Sequence, residues 1–132
     1  MERGTERAWR EIRAEALVHN ARALEGALAP GCRLMAVVKA DAYGHGAVPV
    51  SQILSGAGVD TFAVACLEEG VALRRGGVAG EILVLGYTPP EEAPLLARWD
   101  LTQAVADEAH AKALSARGAD LRVHLALDTG MH

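Results

Sequence analysis

The chain has 132 residues, a formal net charge of −4 and a hydrophobic share of 51%. That length suits one domain, the apolar share excludes a disordered chain, and the acidic balance argues against a nucleic-acid-binding surface. Only 4% of the residues are aromatic and 26 are alanine, so the core must be built mostly from small side chains; no apolar run approaches the roughly 18 residues of a membrane span.

The N-terminal MERGTERAWR is charged and lacks an apolar stretch of signal-peptide type. Residues 7–12 read as a short strand. Residues 14–29 place Leu17, Ala21, Leu24 and Leu28 on one helical stripe and stop at Pro30-Gly31. Apolar runs of strand length then recur at 34–40, 61–67, 81–87, 101–107 and 121–127. Segments of helical spacing lie between them. Residues 47–57 carry Val50, Ile53, Leu54 and Ala57 on one face, with Pro49 near the start. Residues 68–76 run from an acidic first turn to two arginines and two glycines. Residues 91–99 form a shorter helical segment, and 108–117 follow Asp107 as N-cap and end at Gly118. Cys32 and Cys66 have neither metal nor disulfide spacing, which predicts a reduced, cytoplasmic protein.

The strands are nearly continuous in apolar residues, the mark of a parallel sheet buried on both faces. The pattern predicts βαβ units in series. Two α/β architectures fit: a flavodoxin-like doubly wound domain, or the first half of a (βα)8 TIM-type barrel of about 250 residues. No helix closes over the last strand, which ends at Leu127. A finished doubly wound domain would usually have one. The expected organisation is an N-terminal strand segment over 1–13 and a partial, truncated barrel over 14–132 that ends after its fifth strand.

In both folds chemistry sits at the C-terminal ends of the strands. There the first strand carries Lys39, one of only two lysines; the other is Lys112. An amine held partly out of water loses its proton more readily and becomes a better nucleophile, suited to Schiff-base chemistry. Tyr43 offers a hydroxyl at the same mouth, and Gly44 and Gly46 leave room for the backbone to approach an anion. Taken alone, Lys39 is better read as a side chain that merely reaches solvent from a strand end before a glycine-rich turn; the whole string around it changes that weighing. The other candidates have blander readings. His45 suits a hydrogen bond within the turn, and His19, His110 and His124 suit surface or packing roles. Cys66 reads as a small buried hydrophobe. Glu68 and Glu69 read as a helix start, Lys112 as solvated, and Asp128 as a turn former or an orienting group at a strand end.

The string Ala36-Val37-Val38-Lys39-Ala40-Asp41-Ala42-Tyr43-Gly44-His45-Gly46 resembles the pyridoxal-phosphate attachment motif of the alanine racemases. Arg7-Ala8-Trp9 with Glu11-Ile12, His19-Asn20, Phe62 to Ala65 with Glu68-Glu69-Gly70, Ile82 to Gly86 and Asp128-Thr129-Gly130-Met131 resemble further stretches of that family in order. Gly86-Tyr87-Thr88 and the Met131-His132 ending resemble its serine/alanine racemase branch, including the catalytic domains of vancomycin-resistance systems. The resemblance implies a barrel that binds pyridoxal phosphate, a following β domain, a cytoplasmic homodimer and a role in supplying D-alanine for peptidoglycan. Lys39 would hold the cofactor as a Schiff base and serve as one of two bases at Cα. Tyr43 would contact the cofactor phosphate. The resemblance places the second base, the pyridine-nitrogen partner and a substrate arginine beyond His132. Many members carry a carbamylated lysine two residues before the Asp of the D-T-G-M stretch. Ala126 stands there, so a chloride or another side chain would have to support that arginine. Two alternatives stay open: a barrel protein that binds the same cofactor without racemising, and a small α/β binding module without it.

Overall fold

The computed structural model describes residues 8–131. Within them, strands β1 (Ala36–Val37), β2 (Thr61–Val64), β3 (Glu81–Val84), β4 (Thr102–Val105) and β5 (Val123–Leu125) form one parallel sheet in the order β1-β2-β3-β4-β5. A doubly wound domain reverses its strand order partway across the sheet. This sheet never does, and strictly sequential order is that of a (βα) barrel. The sheet therefore settles the architecture that periodicity left open.

Helix α1 (Ala14–Glu25) precedes the sheet and packs its Ala21 into the core. Helices α3 (Ala47–Gly56), α4 (Leu67–Arg75), α5 (Ala93–Arg98) and α6 (Glu108–Ser115) are the crossovers. They cover one face. Phe62, Val64, Ile82, Val84 and Val105 from the strands meet Leu54, Leu67, Leu73, Leu96 and Leu114 from the helices, each 8% exposed or less. The paired register puts Val37, Ala63, Leu83 and Thr102 on the opposite face. α6 begins as its sequence predicts: the Asp107 carboxylate accepts from the His110 backbone N–H at 2.7 Å.

Several boundaries differ from the sequence expectation, each for a local reason. The strand expected at 7–12 does not form over the described residues 8–12; Trp9 is 69% exposed, and a strand without a neighbour has nothing to pair with. Arg7 lies outside the described residues. The first strand is cut to Ala36–Val37 because the backbone turns left-handed immediately beyond it. Residues 91–99 split into a 3-10 turn (Pro90–Glu92) and α5, with Pro94 at the first turn of the latter.

Candidate active site

β1 delivers Lys39 to the C-terminal mouth of the sheet, half-buried. The next residues form α2 (Lys39–Tyr43), a turn of left-handed helix: Ala40, Asp41 and Ala42 have φ, ψ of 51°, 50°; 53°, 45°; and 52°, 48°, and Tyr43 has φ 55°. For L-residues that conformation costs about 1–2 kcal/mol per residue. Such strain persists only where the surroundings over-determine it.

The surroundings do so from both sides. Within the turn, the Ala42 N–H donates to Val38 C=O at 2.9 Å and the Gly46 N–H to Asp41 C=O at 2.8 Å. His45 Nδ1 donates to Ala42 C=O at 3.0 Å, the turn role expected of it. The Ala42 methyl is buried in the core. On one flank the Asp41 carboxylate accepts the Ala47 N–H at 2.7 Å, tying the turn to the start of α3. On the other flank the Glu69 carboxylate, from the first turn of α4, accepts the Ala40 N–H at 2.8 Å and the Ala65 N–H at 2.7 Å. The turn thus presents Lys39 and Tyr43, the latter 63% exposed, on a fixed backbone.

One expectation is corrected here. The N–H groups of Gly44 and Gly46 close the turn onto Ala40, Asp41 and Asp41 carbonyls, so they are not aimed outward at an anion. These glycines are needed for conformation: their φ values are 85° and 95°.

The remaining candidates fall elsewhere. Cys66 is the residue before α4, half-buried; burial pushes its thiol up, the Glu69 backbone N–H opposes that rise, and the Glu68 and Glu69 carboxylates add to it. Glu68 is exposed, and hydrogen bonding from its own backbone N–H and from the Cys66 thiol holds its carboxyl below the usual range. Lys112 is solvated on α6 and pairs with Glu108. His110 is buried and donates from Nε2 to Thr88 C=O at 2.8 Å; His124 pairs with Glu81 at 3.0 Å. Beside them, fully buried Gln103 joins the loop after β3 to β4: its carbonyl accepts the Thr88 hydroxyl at 2.6 Å and its amide donates to Gly86 C=O at 2.7 Å. Asp128 accepts the Gly130 N–H at 3.0 Å in a turn. His132 lies outside the described residues. Among the described residues no helix is long and apolar enough to cross a membrane, and no three His, Cys, Asp or Glu side chains gather as a metal site.

A primary amine at a rigid mouth, with a phenol hydroxyl four residues away on the same clamped turn, suits a ligand that carries an aldehyde and an anionic group. Pyridoxal phosphate is such a ligand, and the residues present fit it on that side. The sequence reading missed Glu69 and Asp41 as supports. For Glu69 a signal existed, a carboxylate three residues after the helix cap, as in a capping box.

The sequence matches the family "Alanine racemase, N-terminal domain" over residues 12–132. A serine/alanine racemase of Enterococcus gallinarum is 49% identical over 126 residues, covering 96% of this chain and 18% of that protein. An alanine racemase of Synechocystis sp. is 47% identical over 131 residues, covering 96% and 35%. The crystal structure of alanine racemase from E. faecalis superposes with a TM-score of 0.85 at 38% identity, over 91% of this chain and 34% of that one. That of alanine racemase from Bacillus anthracis with bound L-Ala-P gives 0.82 at 32% identity, over 89% and 31%. Against these two sequence relatives the chain spans 18% and 35% of their length. With its sequential parallel sheet and the lysine turn at the mouth, the chain belongs to the alanine racemase family and forms part of that family's N-terminal barrel domain.

Proposed function

We propose that the full-length gene product is a pyridoxal-phosphate-dependent amino-acid racemase that interconverts L- and D-alanine in the cytoplasm, supplying D-alanine for peptidoglycan, and works as a homodimer. The observation that carries the reading is the clamped left-handed turn, which sets Lys39 and Tyr43 on one rigid segment at the barrel mouth. Bound pyridoxal phosphate would supply the electron sink that stabilises charge at the substrate Cα. Lys39 would hold the cofactor covalently through Nζ and would move a proton at the substrate Cα as one of two bases. The Tyr43 hydroxyl would donate to the cofactor phosphate. The turn would fix the backbone from which Nζ reaches the cofactor, which is the protein's share of the work. A second base, a substrate arginine and a partner for the pyridine nitrogen come from beyond residue 132. The barrel fragment over 14–132 alone is therefore inactive.

The 49% identity to the serine/alanine racemase favours a second substrate, serine, on the same machinery. The full-length gene product incubated with L- or D-alanine and with L- or D-serine in deuterium oxide tests both. Deuterium entering Cα with loss of optical activity is expected. Cofactor binding without exchange from any of the four would replace the racemase reading by a non-catalytic cofactor-binding barrel.

A further inference from the structure

β1 and β2 part company at the mouth, and the point of parting is held by one side chain. The last ladder bond runs from the Val38 N–H to Ala63 C=O at 2.8 Å. Continuing that parallel register would send the Ala65 N–H to Val38 C=O and the Ala40 N–H to Ala65 C=O. Both carbonyls are engaged elsewhere. Val38 C=O accepts from Ala42 N–H, which closes the left-handed turn, and Ala65 C=O accepts from Gly86 N–H, just after β3, at 3.0 Å. Two backbone donors, one from each strand, are left without ladder partners. Glu69 takes both, one on each carboxylate oxygen. Charge-assisted bonds of this length are the strong kind, and one carboxylate can serve two donors only because both of its oxygens accept.

We infer that Glu69 is a positioning residue for Lys39. Both of its carboxylate oxygens are taken up by backbone N–H groups. It fixes the amide that follows Lys39, and through it the direction in which the lysine leaves the strand. The bond to Ala65 alone would suffice to start α4; the bond to Ala40, 29 residues away in sequence, is the one that reaches the site. This inference rests on the reading of Lys39 given above.

The test uses the full-length gene product and pyridoxal phosphate. The Lys39 amine condenses with the aldehyde, releasing water, and hydride from borohydride traps the adduct as a secondary amine. Peptide mapping then gives the rate at Lys39, with exposed Lys112 as internal reference. Glu69→Gln keeps one acceptor and turns the other into an amide N–H, so the Lys39-to-Lys112 labelling ratio falls about tenfold. Glu68→Gln removes the same charge one residue away and leaves the ratio unchanged, which a general loss of charge at the helix start would not. Amide hydrogen exchange in the unmutated protein covers the case in which Glu69→Gln fails to fold: the Ala40 amide, in an exposed residue, must exchange slowly. An unchanged labelling ratio in Glu69→Gln, or an unprotected Ala40 amide, overturns the inference while leaving Lys39 labelled. Absence of Lys39 labelling in the unmutated protein overturns the reading of Lys39, and this inference with it.

Discussion

The two ends of the sheet are held by opposite chemistry. At the base, where strands begin, a guanidinium gathers carbonyls. Arg74 donates to Trp99 and Asp100 C=O before β4, and to Val78 and Gly80 C=O before β3, at 2.7–3.0 Å. At the mouth, where strands end, carboxylates gather N–H groups: Glu69 takes Ala40 and Ala65, and Asp41 takes Ala47. The base holds one non-glycine residue in left-handed conformation, Asp100 with φ 50°, and is largely covered, with the Arg74 side chain 13% exposed. The mouth holds four consecutive non-glycine residues in left-handed conformation and leaves its amine and phenol toward solvent. The base spends its polar groups on stability. The mouth spends part of that stability on placing two side chains, the usual arrangement in a barrel with chemistry at its C-terminal face.

The largest expected effect tests the base. Arg74→Ala strands several loop carbonyls and lowers unfolding free energy by about 3 kcal/mol in urea titration, with labelling of Lys39 in the folded fraction unchanged. Arg74→Lys recovers less than half of that, because an ammonium cannot span the same carbonyls. A loss of Lys39 placement equal to the loss of stability would erase the distinction between the ends. Next, Gln103→Leu removes the buried amide that braces the loop after β3, leaves Thr88 and Gly86 without it, and costs about 1–3 kcal/mol by the same titration.

Smaller effects sharpen the contrast at the mouth. Ala40→Gly relieves a left-handed residue whose side chain is exposed, so stability stays level or rises by up to about 1 kcal/mol, the reverse of the usual cost of glycine. Thermal melting reads it; a clear loss would mean the turn is not strained. The smallest effect is on pH dependence. The Glu68 carboxyl titrates lower folded than unfolded, so its contribution is present above the ordinary carboxylate value of 4.5 and fades as pH falls through the folded value. Glu68 is exposed and screened, so Glu68→Gln flattens the acid limb of a stability-versus-pH curve only slightly.

Much of the barrel was legible in the chain because its cues are local. Five apolar runs gave five parallel strands, and Asp107 capped the helix it precedes. The Lys39 string carried the site because its residues are contiguous. What could not be read were effects of distance and handedness. The first strand stops at Val37 because Ala40 to Tyr43 turn left-handed, a conformation that alanine, aspartate and tyrosine do not advertise. Glu69 read only as a helix start, since its second partner lies 29 residues upstream and is brought near by the β1–β2 pairing. The expected strand at 7–12 does not form over the described residues 8–12, because its residues do not supply a neighbour to pair with.

The central claim is that Lys39 is the residue that holds pyridoxal phosphate. The most direct measurement is to load the full-length gene product with the cofactor, reduce with borohydride and map the modified peptide. The account predicts one stoichiometric adduct on Lys39. A stoichiometric adduct on Lys112 in place of Lys39, or no adduct at all, would contradict it.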